Sequence, residues 1–418
     1  MKILHVSTYD ILGGASKSCY SVFNALRKAG VNSKMLVQTK LSNDNDIYQY
    51  ETDTLGIVKR FVRKGIDEVL IKIFVDGSRG RFSFPYIGGD ITKHFSVLNA
   101  DIINFHWING GFFSLSTFEK LKKFNKPIVW TFHDMWGFTG GCHYTGGCEK
   151  FTSECKYCPN LKKGKQRDFS YKLFNSKKEL FENFNINIVT SSSWLAKETK
   201  KSILLGDKNI VTIPTTVNTE IFDFNKKEES RKILGLESDK TYILFGTMTL
   251  SDKRKGLHYL IRSLKKMKNF PQNSRDIELV VFGSEKNTTL GELPFKVNSM
   301  GRISDLNTLA RLYNAADVFI APSLEDNLPN TVMESLSCGT PVVAFNIGGM
   351  PDMVDHKNNG YLAKTESVDD LTEGILWVLS DKDRLQTLRS NSRQKAVDSF
   401  TDEVVAKKYI DFYKTIIK

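Results

Sequence analysis

The chain has 418 residues, of which 40% are hydrophobic and 25% charged, and its 59 Lys and Arg against 47 Asp and Glu give a formal net charge of +12. This composition is typical of globular proteins and excludes the disordered, collagen-like and disulfide-scaffold classes. The length predicts two or three domains. The positive charge favours an anionic partner, such as nucleic acid, a nucleotide phosphate or an acidic membrane surface.

Hydropathy predicts no membrane-spanning segment, because no window approaches the ~20 continuous apolar residues that a spanning helix needs. The first seven residues contain an apolar run too short for the core of a signal peptide. We therefore expect a cytoplasmic protein, soluble or attached peripherally to the inner face of the cytoplasmic membrane. In that reducing compartment the six cysteines would not form a disulfide framework.

Short apolar runs alternate with longer amphipathic segments along most of the chain, which predicts an α/β fold with parallel sheets. The segment 16–29 is predicted to be a helix that ends at Gly30. A first series of predicted strands comprises residues 3–6, 34–38, 102–105, 128–131 and 186–191. A second series comprises residues 242–245, 278–282, 318–321 and 341–344.

The polar, Pro-containing segment 210–218 separates the two series and predicts a domain boundary near Ile210. The predicted domains are residues 1–210 and 211–398, each a Rossmann-like sheet, followed by an amphipathic helix at 399–418 with Thr401 as its N-cap. Two such sheet domains are expected to face each other across a ligand-binding cleft.

Residues 321–344 carry the most informative motif: a strand end, a polar loop, a helix that opens near Asn330, a Gly stop and another strand. A helix N-terminus beside the carboxyl end of a strand favours anions. Carboxylates there, at Asp326 and Glu334, suit sugar hydroxyls better than phosphate, because like charges repel. The motif thus predicts a site for a nucleotide joined to a sugar.

A basic loop follows the first strand of the second series and leads into a predicted helix at 258–268. It contains Arg254 and Lys255, and a diphosphate leaving group needs positive charge held in place as its bond to the sugar breaks. The alternative is that these side chains are solvated cations at a helix start.

Three positions in the first half also follow predicted strands. Gly13 and Gly14 permit close approach of a ligand to the backbone, although a tight turn is the common alternative. His133 and His106 each end a strand, where a histidine can exchange protons or donate hydrogen bonds near neutral pH. For His106, a structural role is an equal alternative.

Taken together, these motifs resemble the retaining glycosyltransferases of family 4, which have the two-domain GT-B fold and include many bacterial surface-polysaccharide enzymes. The resemblance implies that Glu334 binds the nucleotide ribose and that Asp326 contacts the donor sugar, with Glu325 one position out of register. It implies that Lys255 binds the diphosphate and that Arg254 replaces an Arg the family usually has earlier. It also implies a C-terminal helix that crosses back to the first domain.

The same resemblance assigns further contacts. Backbone N–H groups near Asn330 and Thr331 would help to bind the diphosphate. Gly283 and Arg302 would lie near the base and the nucleotide. In the first domain, Gly13 and Gly14 would lie against the phosphates and the acceptor, His133 would contact the donor sugar near the reacting carbon, and Asp134 would orient the imidazole ring.

The function implied is transfer of a hexose-type sugar (EC 2.4) from a UDP- or GDP-sugar to a lipid-linked glycan. The product would belong to capsule, exopolysaccharide or O-antigen synthesis, and the reaction would need no catalytic metal. A nucleotide-sugar hydrolase or epimerase of the same fold is the alternative. A zinc-containing nucleic-acid-binding protein is a third hypothesis. It is disfavoured, because basic residues are not concentrated near the cysteines and no recognition motif occurs.

Four of the six cysteines fall within residues 142–158 in the pattern C-x5-C-x6-C-x2-C. Four thiolates match a structural zinc site, and a loop with little apolar content would gain stability from a metal. Free thiols or a redox pair are the alternative. The candidate ligands are Cys142, Cys148, Cys155 and Cys158.

A basic insertion at residues 55–82 lies between the second and third predicted strands. Basic residues alternate there with bulky apolar ones at helical spacing, a pattern that can bind an anionic membrane surface. The alternative is a surface helix that packs on the first domain.

Overall fold

The computed structural model describes residues 1–77, 80–124, 126–267, 276–284 and 293–417. Residue contacts divide the chain into two compact units: residues 1–216 together with those from Val405 onward, and Val217–Val404. Each unit contains a parallel β-sheet covered by helices. Residues 78–79 of the basic insertion, the predicted helix end at Lys268, and Lys418 lie outside the described residues.

The sheet of the first unit has the strand order β3-β2-β1-β4-β5-β6-β7, and each strand pairs in parallel with its neighbours in that order. Its strands are β1 (Lys2–Tyr9), β2 (Asn32–Thr39), β3 (Ile47–Gln49), β4 (Ile102–Phe105), β5 (Ile128–Phe132), β6 (Ile186–Thr190) and β7 (Asn209–Thr212). Its helices in this part of the chain are α1 (Gly14–Lys28), α2 (Thr54–Phe74), α3 (Phe95–Asn99), α4 (Leu115–Leu121), α5 (Phe169–Glu182) and α6 (Ser193–Lys201).

The second unit has a parallel sheet with the order β10-β9-β8-β11-β12-β13. The strands are β8 (Thr241–Thr249), β9 (Ile277–Ser284), β10 (Lys296–Ser299), β11 (Val318–Ala321), β12 (Val342–Phe345) and β13 (Gly360–Ala363). The helices are α7 (Lys227–Leu234), α8 (Leu257–Met267), α9 (Leu306–Ala315), α10 (Asn330–Ser337), α11 (Met350–Met353), α12 (Val368–Leu379) and α13 (Lys382–Phe400).

The segment predicted to begin the domain linker is instead a strand. β7 pairs with β6 through Ile188 and Ile210, and so extends the first sheet. It is partly exposed along its length, as is β10 at the edge of the second sheet. Edge strands need no continuous apolar run, because one side of the strand has no neighbour to pack against.

The last helix, α14 (Asp402–Ile416), packs within the first unit. Its buried Val405 and Tyr409 join a core cluster with Ile3 of β1 and Val22 of α1. In the same unit the buried Asn104 side chain donates a hydrogen bond of 2.8 Å to the Tyr413 hydroxyl. The Val404 amide donates to the Thr401 hydroxyl at 3.4 Å, the N-cap contact expected from the sequence.

In each sheet the strand order reverses once, between β1 and β4 in the first unit and between β8 and β11 in the second. Ligands of open α/β sheets bind outside the carboxyl ends of strands at such a reversal, because the flanking loops diverge there. The loops after β1 and β4 carry Gly13 and His106. Those after β8 and β11 carry Lys255 and Asp326.

Candidate functional site

In the second unit, the basic loop after β8 forms a short 3-10 turn at Lys253–Lys255. The Asp252 carboxylate caps this turn by accepting from the Arg254 amide at 3.0 Å. The turn ends at Gly256, where φ is 72° and a Cβ atom would lie 1.8 Å from the Pro322 carbonyl oxygen. A residue with a side chain would therefore be strained here and would clash, so glycine allows the turn to lie against the loop after β11.

This close approach brings both predicted cations to Asp326. The Lys255 Nζ lies 2.6 Å from one carboxylate oxygen, and an Arg254 guanidinium nitrogen lies 3.5 Å from the other. The Ser323 hydroxyl donates a third contact at 3.3 Å. Arg254 also donates to the Glu325 carbonyl at 2.6 Å. The loops after β8 and β11 are thus joined by charge-assisted hydrogen bonds.

The charges at this cluster are arranged so that the carboxylate is inside and the cations are accessible. Asp326 is 6% exposed, whereas the side chains of Lys255 and Arg254 are 22% and 26% exposed. Burial pushes the pKa of Asp326 upward, but the charges of Lys255 and Arg254 bring that pKa below its ordinary value. In this structure Asp326 therefore contacts the cations, and the cations face the surface.

Helix α10 begins at Asn330, as the sequence predicts, and Glu334 lies in its first turns. The hydroxyl of Tyr313, which is fully buried, donates to the Glu334 carboxylate at 3.0 Å. Glu334 itself is partly exposed, as are Asn330 and Thr331. Tyr313 thus fixes the carboxylate from the core side, a contact that the sequence motif gave no means to anticipate.

The structure gives the two other predicted nucleotide contacts different surroundings. Gly283 has a φ of 136°, and a Cβ there would lie 2.2 Å from the Thr247 carbonyl oxygen. Its amide donates to the Gly301 carbonyl at 2.8 Å. This glycine is therefore required by backbone packing, whatever its relation to a ligand. Arg302 is exposed.

In the first unit, the Gly13-Gly14 pair stands at the open end of α1. Gly13 has a φ of 89°, and a Cβ at either glycine would have no neighbour within 4 Å. The buried carboxylate of Asp10 holds the preceding loop by accepting from the Leu41 and Ser42 amides at 3.0 and 2.8 Å. The loop is thus anchored at its start and leaves open space beside the glycines.

The histidines His133 and His106 are brought together with a third, His5, that the sequence patterns did not single out. The His106 ring lies between the other two, 2.9 Å from His5 and 3.0 Å from His133. His106 is 2% exposed and both its ring nitrogens are engaged, which does not fit the predicted direct contact with substrate. His133 is partly exposed and lines a small pocket with His106, Trp107 and Asp134.

The Asp134 carboxylate is held by His143 and by the backbone of Trp136. Its carboxylate lies 2.7 Å from the His143 Nδ1 and accepts from the Trp136 amide at 2.9 Å. The other His143 nitrogen lies 2.9 Å from the Ser83 hydroxyl. Burial raises the pKa of Asp134, but His143 brings that pKa below its ordinary value. Asp134 thus places negative charge beside His133.

The four clustered cysteines line one pocket of the first unit, together with Asn160 and Ser170. All four are free thiols. The Gly140 amide donates to the Cys155 sulfur at 3.3 Å. Within the described residues, however, the group of three metal-capable side chains whose ligand atoms all lie within 4.8 Å is His5, Cys19 and His106. A metal would require the clustered thiols to draw closer together.

Helix α2, within the basic insertion, buries two charged side chains and leaves several apolar side chains exposed. Its buried positions are Gly56, Arg63 and Asp67, and Arg63 pairs with Glu51. The exposed apolar residues are Leu55, Val58, Phe61, Val62, Ile66, Val69 and Ile73, which are between 37% and 65% exposed. Across the described parts of the chain, every helix is too short or too polar to cross a membrane.

Acid should destabilise the first unit through His5. Burial lowers the pKa of His5 from 6.5 to about 3, so below pH 6.5 the unfolded chain binds a proton that the folded chain excludes. His5 therefore leaves the free energy of unfolding unchanged above pH 6.5. Between pH 6.5 and pH 3 that free energy falls as the pH falls, by up to about 1.4 kcal/mol per pH unit. Urea unfolding at several pH values should show this slope.

His5→Asn should make this slope shallower without abolishing it, because burial also lowers the pKa of His106 and that of His133. Equal slopes for the wild-type and His5→Asn proteins would contradict the assignment of this proton to His5.

Several known proteins that this chain resembles are glycosyltransferases. Residues 226–395 match the family model described as glycosyl transferases group 1. The chain is 25% identical over 369 residues to a putative colanic acid biosynthesis glycosyl transferase of Escherichia coli, covering 83% of each chain. It is 26% identical over 194 residues to the N,N'-diacetylbacillosaminyl-diphospho-undecaprenol alpha-1,3-N-acetylgalactosaminyltransferase of Campylobacter jejuni, covering 44% of this chain and 50% of that protein. The first two curated relatives are matched over only 59% and 50% of their own length.

Solved structures resemble nearly the whole chain. Sucrose-phosphate synthase from Thermosynechococcus elongatus has a TM-score of 0.69 at 18% identity, with 99% of both chains covered. HepE of Anabaena in complex with UDP has a TM-score of 0.63 at 16% identity, covering 99% of this chain and 100% of that one. The chain therefore has the fold of GT-B glycosyltransferases, and its second unit contains a glycosyltransferase group 1 domain.

Proposed function

We propose that this chain is a retaining glycosyltransferase, which moves a hexose-type sugar from a nucleoside-diphosphate sugar to a glycan acceptor. The observation that carries the proposal is the pairing of Lys255 and Arg254 around Asp326. This cluster lies where the strand order of the second sheet reverses, inside the segment that matches the group 1 model. Accessible cations fixed at such a place suit a diphosphate.

The donor in this proposal is a UDP- or GDP-sugar. The Anabaena relative in fold was solved with UDP and with UDP-glucose, which supports a UDP-sugar as the first choice. Glu334, braced by Tyr313, has the position and charge to accept hydrogen bonds from ribose hydroxyls. Asn330 and Thr331 lie at the start of the same helix, on the side that favours negative charge.

The chemistry proposed breaks the bond between the anomeric carbon and the diphosphate oxygen. A bond to an acceptor oxygen forms on the same face of the sugar, and the proton of the acceptor hydroxyl leaves with the diphosphate. Lys255 and Arg254 would stabilise the charge that develops on the leaving group, so the mechanism assigns no step to a metal. His133 would contact the donor sugar.

The acceptor in this proposal is a lipid-linked glycan of a surface polysaccharide. The Campylobacter relative is named for a diphospho-undecaprenol acceptor, and the Escherichia relative for colanic acid biosynthesis. A lipid-linked acceptor places the reaction at a membrane surface. The proposal therefore includes attachment to the inner face of the cytoplasmic membrane.

Helix α2 is the proposed membrane contact. Its inner face is fixed by the pairing of Arg63 with Glu51, which leaves the apolar side chains facing outward. The exposed side chains of Lys59, Lys64 and Lys72 lie along the same helix. Apolar side chains flanked by cations suit the interface of a bilayer that contains anionic lipids.

Lys255→Ala should abolish most sugar transfer, because the leaving diphosphate loses a cation at the reacting bond. We expect turnover to fall by about 10²-fold or more. A thermal-shift screen of UDP-, GDP- and ADP-sugars would first identify the donor, and transfer to a lipid-linked glycan extract would then be measured.

Lys253→Ala is the matched control, since Lys253 lies in the same turn but is exposed and has no contact with Asp326 among those observed. Near-normal transfer by Lys255→Ala would refute the assignment of the diphosphate site. Release of free sugar at the same rate with and without acceptor would instead identify a nucleotide-sugar hydrolase.

Phe61→Asp should weaken membrane binding, because Phe61 is 65% exposed at the centre of the apolar face. Burial of one such side chain contributes about 1.5–3 kcal/mol, so binding should fall by roughly tenfold or more. Co-sedimentation with vesicles that contain anionic lipid measures this directly.

Leu98→Asp, at an exposed apolar residue outside α2, should leave membrane binding unchanged. Binding that ignores both the anionic lipid and the Phe61 substitution would rule out α2 as the membrane contact.

We also propose that the clustered cysteines bind a structural zinc ion. The four sulfurs share one pocket, and the Cys155 sulfur already accepts an amide hydrogen bond, as metal-bound thiolates commonly do. The fully buried amino group of Lys177, which donates to the Thr139 carbonyl at 3.1 Å, lies near Cys142 and Cys155. Burial lowers the pKa of Lys177 to about 7, against the opposing effect of negative charge on these two cysteines. A cation there would balance part of the negative charge of a zinc tetrathiolate.

Protein purified under reducing conditions should contain about one zinc per chain, because all four ligands are free thiols. Cys155→Ser should lose the metal, and Cys338→Ala, at a buried thiol of the second unit, should retain it. Metal content well below one equivalent in the reduced wild-type protein would exclude the site.

A further inference from the structure

Three histidines of the first unit form a continuous chain. The Nδ1 of His5, in β1, lies 2.9 Å from the Nε2 of His106, which follows β4. The Nδ1 of His106 lies 3.0 Å from the Nε2 of His133, which follows β5. The chain runs from the core, where His5 is fully buried, to the partly exposed His133 at the pocket lined by Asn109.

The hydrogen-bond chain of the three histidines ends at His5. The Nε2 of His5 is buried and has no hydrogen-bond partner among the described residues. A neutral imidazole has one N–H and one lone pair, so the protons can be arranged in two directions along the chain. In one direction the Nε2 of His5 carries a buried N–H without an acceptor, and in the other it carries only a lone pair. Unpaired buried N–H groups are the rarer and more costly case.

We infer that His5 and His106 are positioning residues that hold His133 in the tautomer protonated on Nδ1. His5 donates from Nδ1 to His106, and His106 donates from Nδ1 to His133, whose Nε2 is the acceptor. The inference rests on the proposed function, in which His133 contacts the donor sugar. In that role His133 acts as a hydrogen-bond donor through Nδ1 and not as a base through Nε2.

The protonation states agree with this arrangement. Burial lowers the pKa of His5 to about 3 and that of His133 to about 4, and it also lowers the pKa of His106. All three rings are therefore neutral near pH 7. A charged ring in the middle of the chain would direct an N–H at each neighbour and disturb the order of donors and acceptors.

A metal ion is the alternative to a hydrogen bond between His5 and His106, because the ligand atoms of His5, Cys19 and His106 all lie within 4.8 Å of one another. Two imidazole nitrogens on one tetrahedral zinc at 2.0–2.1 Å are about 3.3 Å apart. The 2.9 Å between His5 and His106 is shorter and lies in the range of hydrogen bonds. The distance thus favours a shared proton over a shared metal.

The test is a long-range ¹H–¹⁵N correlation spectrum of the full chain labelled with ¹⁵N-histidine, near pH 7.5. His5, His106 and His133 should each show a protonated Nδ1 and an unprotonated Nε2, with the signals assigned by single His→Gln variants. A protonated Nε2 on His133 would overturn the inference. The inference would also be overturned if the facing nitrogens of His5 and His106 were both unprotonated because they bind a shared metal ion. Loss of that metal in the Cys19→Ser variant would identify this case.

Two variants of His5 extend the test to catalysis. His5→Asn keeps an amide donor close to the position of Nδ1, whereas His5→Leu keeps the volume without the donor. We expect His5→Leu to lower kcat at least tenfold, since a displaced contact near the reacting atoms costs up to about 10²-fold. His5→Asn should recover kcat to within a few-fold, with the His133 tautomer restored in the spectrum.

The outcomes separate this inference from the proposed function. Equal kcat losses in both variants, with the His133 tautomer unchanged, would reduce His5 to a packing residue and overturn the inference. The predicted tautomers in a protein that transfers no sugar from any donor would refute the proposed function while leaving the hydrogen-bond chain in place.

Discussion

Parallel strand pairing is the constraint on which both units depend. It places the carboxyl ends of neighbouring strands at one edge of each sheet, and the reversal of strand order opens a gap between the loops that follow. Lys255, Asp326 and His133 lie in loops that follow these strands. In the second unit the loops are held together by the ionic contacts of Asp326, and Gly256 permits the approach that makes those contacts.

The two edges differ in their electrostatics. The second unit offers accessible cations above a buried carboxylate, an arrangement suited to a charged ligand. The first unit offers neutral imidazoles beside Asp134, whose charge is shared with His143. Burial keeps His5, His106 and His133 neutral, so hydrogen bonding rather than net charge sets their behaviour.

The sequence predicted the interior strands well, because strands covered on both faces have continuous apolar runs, as in β4 and β11. It missed β3, β10 and β13 and took β7 for a linker, since short or polar edge strands lack that pattern. It also singled out Lys255, Asp326 and Glu334, whose spacing follows a known motif and whose binding roles stay predictions. The contact between Lys255 and Asp326 depends on the packing of loops about 70 residues apart, which periodicity does not encode.

Two features were beyond sequence patterns for a different reason. His5 lies within the apolar run of β1, so the strand pattern gives it no special role. Its partner His106 follows a different strand, and sequence patterns do not show that contact. In α2 the periodicity predicted an amphipathic helix but not which face is buried. On the inner face Arg63 pairs with Glu51. Leu70, Ile71 and Phe74 pack on a core cluster, while Phe61 stays exposed.

The placement of α14 has a consequence for how the protein is made. The first unit takes its last core residues, Val405 to Tyr413, from beyond the whole of the second unit in the chain. During synthesis, residues 1–216 therefore leave the ribosome before the α14 side chains that pack against Ile3, Val22 and Ile102. The second unit is continuous in sequence and can fold before the first is complete. An incomplete chain that stops before Val405 would expose these apolar side chains and be a substrate for chaperones.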